Sequence, residues 1–138
     1  MNAPILLMSF IRPEKTKRIL NIINESGAEN LFIFIDFPKK DFKNNNLLKE
    51  TRDIIENFNF KGTKKLLFEE KNLGQKENLP KALEWVFKSH DQTIIIEDDC
   101  VVNQDFFIFC NELLEYYKND NRIAQISGVN FLNYKSFK

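Results

Sequence analysis

The sequence predicts an α/β fold, with a mostly parallel sheet covered by helices on both faces. Three observations predict it. Short apolar runs alternate with longer helix-period stretches along all 138 residues. The runs show little polar alternation, as expected of strands buried on both faces. Polar or charged residues follow the runs, which gathers them at one edge of the sheet. The expected order is β-α-β-α-β-α-β-α-β in one domain spanning residues 1–138, without internal repeat or low-complexity linker.

The first strand lies in Pro4 to Phe10, and Arg12-Pro13 breaks it. Pro at the first turn suits a helix start. Ile19, Leu20, Ile22 and Ile23 mark that helix's apolar face, and Gly27 stops it. Leu31 to Ile35 is the second strand, ended by Asp36-Phe37-Pro38, and the polar stretch Lys39 to Asn46 reads as a loop. Leu47, Thr51, Ile54, Ile55 and Phe58 are spaced as one face of a second helix. Lys65 to Phe68 is a third strand, closed by Asn72-Leu73-Gly74. A third helix carries Leu79, Ala82, Leu83, Val86 and Phe87, and Thr93 to Ile96 is the fourth and most apolar strand. Asp105 is placed to cap a fourth helix bearing Phe106, Phe109, Cys110, Leu113, Leu114 and Tyr117. Ile123 to Ser127 is expected to form a fifth strand ending at Gly128. The chain stops soon afterwards, at Asn133 to Lys138, which reads as an incomplete domain.

Composition narrows the function. Lys+Arg and Asp+Glu both number 20, so the chain has no net charge to attract nucleic acid or an anionic bilayer. Hydrophobic residues make up 43% of the chain, enough for a core. The two cysteines, Cys100 and Cys110, have neither metal-finger nor disulfide-framework spacing, so a reducing, cytoplasmic setting is expected. The run Ile5 to Met8 is too short for a transmembrane segment or signal peptide.

The strand ends that would line a ligand crevice carry Arg12, Asp36, Glu69-Glu70 and Glu97-Asp98-Asp99. Acids clustered at the end of a buried strand repel one another, and such clusters persist where a cation neutralises them. Alternation along the strand puts Glu97 and Asp99 on one side and Asp98 on the other. Two carboxylates so placed suit Mg²⁺ or Mn²⁺, which keep other positions for water and phosphate oxygens. The competing reading is a solvated Asp pair that only starts a turn.

Ile94 to Val101, with Glu97-Asp98-Asp99, followed by Asp105-Phe106-Phe107, resembles the Asp-x-Asp region of GT-A-fold glycosyltransferases, nearest to the GNT-I-like enzymes and their bacterial family-2-like relatives. Pro4 to Pro13 resembles the family's first nucleotide-binding strand and loop, Lys71 to Gly74 its Asn-x-Gly turn, and Ile126 to Phe131 the strand after the acidic motif. The likeness covers nearly the whole chain. It implies a Rossmann-like nucleotide-diphospho-sugar transferase fold, acting in polysaccharide biosynthesis. By resemblance, Asp99, with Glu97, would bind an Mn²⁺ or Mg²⁺ cofactor that bridges the diphosphate. Glu97 and Asp98 would contact the sugar, ribose or the metal's water, Asp36 the base, and Arg12 would lie near the nucleotide. The expected partners are a nucleotide-diphosphate sugar donor and a glycan acceptor, at a cytoplasmic site that can be peripheral to the inner membrane. In this family the acceptor site and the catalytic base follow the acidic motif. No base is therefore named here, the chain is expected to hold the donor-binding half, and apolar surface left uncovered would favour an oligomer.

Other residues have plainer expected roles. His90 is expected at a helix C-terminus, where its charge favours the dipole. Trp85 is expected to pack against a segment outside the chain, Cys100 to be a small packing residue, and Lys39-Lys40 and Lys64-Lys65 to be solvated. A sugar-phosphate nucleotidyltransferase would need a Gly-rich loop after the first strand, and Ser9 to Pro13 has no glycine. A phosphoacceptor receiver domain would need its acidic pair there instead. A domain that only binds nucleotide, or only a partner protein, is the non-enzymatic alternative.

Overall fold

The computed structural model describes residues 2–39 and 45–129. Strands β1 (Ile5–Ser9), β2 (Asn30–Ile35), β3 (Thr63–Phe68) and β4 (Ile94–Glu97) alternate with helices α1 (Pro13–Asn24), α2 (Asn45–Asn57), α3 (Gln75–Phe87) and α4 (Gln104–Tyr117). The sheet is wholly parallel, in the order β3-β2-β1-β4. β1 is central: its Ile5 pairs with Leu31 on one side and with Ile94 on the other.

Side-chain parity divides the core into two layers. Ile5, Leu7, Leu31, Ile33, Ile35, Ile94 and Ile96 face α1, α2 and α4, meeting Ile19, Leu20, Ile23, Leu48, Ile55 and Phe107. Leu6, Phe32 and Phe34 face the opposite way, onto Ala82 and Val86 of α3. Both faces are thus covered, one by three helices and one by α3. The continuous apolar runs of β1 and β2 follow from this double burial. β3 and β4 are sheet edges and are exposed in part.

Local chemistry sets the helix ends. Pro13 opens α1, where its missing N–H removes no helical bond. Gly27, at φ +73°, turns the chain after that helix. Asn103, not the expected Asp105, caps α4: its Oδ1 accepts from the Phe106 N–H at 3.2 Å, and Asp105 sits inside the first turn. Lys64 is not solvated as expected. Its ammonium donates to the carbonyls of Ile55, Glu56 and Phe58 at 2.6, 2.9 and 2.7 Å, closing the C-terminus of α2.

Three further expectations are corrected. Ile123 to Ser127 forms no strand and is mostly exposed. The reason is the side on which α4 lies. Its Phe107 joins the α1 layer, and Gln104 Nε2 donates to the Ile22 carbonyl at 3.0 Å. A right-handed connection from β4 to a parallel strand on its free edge would need α4 on the α3 face. The apolar face of α4 also differs from its spacing: Phe107 is buried, Phe106, Cys110 and Leu114 flank it, and Phe109 is exposed. Trp85 packs inside this chain, edge-on to Phe32 at 4.9 Å between ring centroids. His90 lies just beyond α3 with its ring against the same Phe32 at 5.4 Å and Nδ1 on Ser89 Oγ. Lys40, Asp41 to Asn44 of the expected loop, Asn130-Phe131 of the last motif and the closing Asn133 to Lys138 lie outside the described residues. No described helix is long and apolar enough to cross a membrane.

Gly62, before β3, approaches the backbone so closely that a Cβ there would lie 2.3 Å from the Glu29 carbonyl oxygen. Gly74 has φ +79° but open space around it. Urea denaturation is therefore expected to show Gly62→Ala destabilised by about 2–3 kcal/mol and Gly74→Ala by about 1 kcal/mol. Equal losses would contradict the close approach.

Candidate functional site

The strand order reverses at β1. The chain leaves β1 toward β2 and β3, and later returns past it to β4. In open parallel sheets the carboxyl ends of the two strands flanking such a reversal diverge into a crevice. Here those ends are Ser9 to Arg12 and Glu97 to Asp99. Arg12 there meets Asp98 and Asp99 directly, from more than eighty positions earlier in the sequence.

Asp98 is the centre of that meeting. It continues the parity of Ile94 and Ile96, so it points inward and is 1% exposed, while Glu97 and Asp99 on either side are exposed. Its Oδ2 accepts from the Phe10 N–H at 2.8 Å and from Ser9 Oγ at 3.3 Å. Ser9 Oγ also lies 2.8 Å from Thr16 Oγ1, which ties the network to the first turns of α1. Its Oδ1 accepts from Arg12 NH1 at 2.7 Å. Both carboxylate oxygens are therefore occupied by the loop after β1, and the buried negative charge is matched by a guanidinium.

The same Arg12 NH1 reaches Asp99 Oδ2 at 3.0 Å. Arg12 and Asp99 are both about two-fifths exposed at their side chains, against 2% for Asp98. The Asp98 hydrogen bond, aided by the charges of both aspartates, raises the guanidinium's pKa above its ordinary value. The ends of β1 and β4 thus bring together one fixed positive charge, that of Arg12, and the exposed carboxylate of Asp99, while Glu97 is exposed as the last residue of β4. No group of three or more His, Cys, Asp or Glu side chains suited to a metal occurs among the described residues. Asp99 offers hard carboxylate oxygens of the kind with which Mg²⁺ and Mn²⁺ are held when phosphate and water complete the shell. The neighbouring Cys100 packs against the core, and its carbonyl accepts from Arg18 NH2 at 3.2 Å.

Asp36 occupies a separate mouth, at the end of β2, and it too is buried. Its carboxylate accepts from the N–H groups of Phe37, Leu73 and Gly74 at 2.8, 2.9 and 3.2 Å, and from the side-chain amides of Asn72 and Asn78 at 3.1 and 2.9 Å. Those bonds fix the Asn72-Leu73-Gly74 turn at the head of α3. The expected base-contacting oxygens are thus engaged by the chain itself. Nearby, Glu69 at the end of β3 pairs with Lys81 of α3 at 2.6 Å, and its carbonyl accepts from Arg52. The Arg52 guanidinium lies 5.0 Å from the Phe68 ring centroid.

Sequence reasoning missed several of these partners. The Ser9–Thr16 hydroxyl pair, the Lys64 cap and the Glu69–Lys81 pair had no motif to reveal them. Asp98's burial did have a signal, its shared parity with Ile94 and Ile96. A cavity of about 1740 Å³ lies elsewhere, against the free edge of β4 and the segment from Ile123 to Val129, and includes neither Arg12 nor the acidic triplet. No family model, curated protein or solved structure matches this chain.

The two aspartates have different surroundings and should respond differently to truncation. Asp98→Ala strands the Phe10 N–H and Arg12, and is expected to cost about 2–4 kcal/mol of folding stability. Asp99→Ala removes a half-exposed pair and is expected to cost less than about 1 kcal/mol. Denaturant melts of both variants check this, and a larger loss for Asp99→Ala would refute the assignment.

Proposed function

We propose that this chain binds a nucleotide-diphosphate sugar through a divalent cation, as the donor-binding part of a glycosyltransferase whose acceptor is a glycan. One observation supports the reading: the reversal of strand order at β1 sets Arg12 against the exposed carboxylate of Asp99, just after the end of β4, whose last residue is the exposed Glu97. A nucleotide diphosphate needs this mixture. Its phosphates need positive charge, and a hard cation is the usual bridge between phosphate oxygens and protein carboxylates.

The parts would divide the work as follows. Asp99, with Glu97, would hold Mn²⁺ or Mg²⁺ by carboxylate oxygens. The cation would supply Lewis acidity toward the departing diphosphate. Arg12 presents N–H groups and a permanent charge to the same phosphates. Asp98 acts behind it, as a positioning residue: it holds the Arg12 guanidinium and fixes the loop after β1 through the Phe10 N–H. Asp36 would act similarly at its own mouth, shaping the Asn72 to Gly74 turn. The absence of glycine between Ser9 and Pro13 favours this reading over a nucleotidyltransferase, which cradles a triphosphate with backbone N–H groups at that point.

Titration with UDP and GDP, in the presence and absence of Mn²⁺, tests the reading. Binding is expected to require Mn²⁺ and to fall at least about tenfold in Asp99→Ala. Nucleotide binding that ignores the metal, or that survives the substitution, would overturn it.

A further inference from the structure

Arg12 NH1 is shared by two aspartates that differ in every other respect. Asp98 is buried and keeps the Phe10 N–H and the Ser9 hydroxyl when the guanidinium is discounted. Among the described residues, Asp99's carboxylate has Arg12 as its hydrogen-bonding and ion-pairing partner, and it faces solvent. The Arg12–Asp98 contact is therefore the anchored half of the bridge and the Arg12–Asp99 contact the labile half. The Arg12 backbone does not need to move for the second to open. Its carbonyl accepts from the Thr16 N–H at 2.9 Å at the start of α1, and only the exposed end of the side chain spans the gap.

From this geometry we infer that Arg12 is a built-in counter-ion that occupies Asp99 until a divalent cation displaces it. The inference rests on the metal reading of Asp99 and adds a regulatory contact to it. A cation arriving at Asp99 competes with the guanidinium for the same oxygen, so metal alone binds weakly. Once displaced from Asp99, the guanidinium is still held by Asp98 at the crevice mouth. The N–H it frees is then available to a phosphate, which makes metal and diphosphate binding mutually reinforcing. No covalent bond is made or broken in this exchange: the Arg12–Asp99 hydrogen bond gives way to a metal–carboxylate contact, and a doubly charged cation takes the place of a singly charged one beside Asp99. The contact keeps the acids neutralised in the ligand-free chain and gives preference to the metal–diphosphate pair over either component.

The test uses Mn²⁺ alone, followed by inorganic pyrophosphate. Free Mn²⁺ is measured by electron paramagnetic resonance during titration of the wild type, Arg12→Gln, Arg12→Lys and Asp99→Asn. Arg12→Gln is expected to bind Mn²⁺ roughly threefold to tenfold more tightly than the wild type, the size of effect a partly exposed charge pair supports. At saturating Mn²⁺ the same variant is expected to bind pyrophosphate more weakly. Arg12→Lys guards against a folding defect in Arg12→Gln. Its ammonium can still neutralise Asp98, but it lacks the guanidinium's planar spread of donors, and an intermediate Mn²⁺ affinity is expected. Mn²⁺ affinity unchanged or weakened in both Arg12 variants, with Asp99→Asn still losing the metal, would overturn the counter-ion role and leave the metal reading intact. Absence of Mn²⁺ binding in the wild type and both Arg12 variants would overturn the metal reading, and this inference with it.

Discussion

A single buried carboxylate joins the two strands on which the proposed site depends. Asp98 projects from the end of β4 into the loop after β1, where it accepts a backbone N–H, a hydroxyl and a guanidinium. An unpaired carboxylate at that depth would be strongly unfavourable. The loop must therefore adopt the one course that brings Phe10 and Arg12 to it. In doing so it sets the start of α1, because Arg12 immediately precedes Pro13 and the Ser9 hydroxyl meets Thr16. The sheet supplies the precondition. β1 and β4 are paired from Ile5 and Ile94 to Met8 and Glu97, and the Asp98 N–H extends the ladder to the Met8 carbonyl at 3.0 Å.

A division of labour follows among the acids at the strand ends. Asp36 and Asp98 are buried and saturated by the chain's own donors, and Glu69 is buried beside Lys81. These three shape the loops. Glu97 and Asp99 at the end of β4, like Glu70 after β3, remain at the surface, where a ligand can reach their oxygens without dismantling a loop. The strand ends at Glu97, and the turn that follows brings Asp98 and Asp99 onto the same Arg12 nitrogen, one buried and one exposed, where alternation alone would have set them on opposite sides. The same logic converts Arg12 from a ligand contact alone into a residue held from behind.

Much of the fold was legible because burial on both faces writes continuous apolar runs into β1 and β2, and helical spacing marks α1 to α3. The reversal of strand order was not written in any local pattern. It is a consequence of α3 crossing to the opposite face. The fifth strand failed for a related reason: Ile123 to Ser127 has the composition of a strand, but the position of α4 decides whether an adjacent parallel slot exists. Within the site, Glu97, Asp98, Asp99 and Arg12 could be named from their places at strand ends. Their mutual distances could not, since Arg12 and Asp98 are coupled only through the register of β1 with β4. Asp36 was placed correctly at the end of β2, yet its five donors include three from residues 72 to 74 and one from Asn78, contacts that only the tertiary fold creates.

The central claim is that the β1 and β4 loops form one cation–diphosphate mouth. Residue-by-residue broadening of amide NMR signals by substoichiometric Mn²⁺, in the presence of UDP, tests it most directly. The account predicts that the amides of Glu97 to Cys100 and Phe10 to Arg12 broaden first and together, while those of Asp36 and Leu73-Gly74 persist to higher metal. Broadening spread evenly over the surface carboxylates, or centred on the Asp36 mouth, would contradict it.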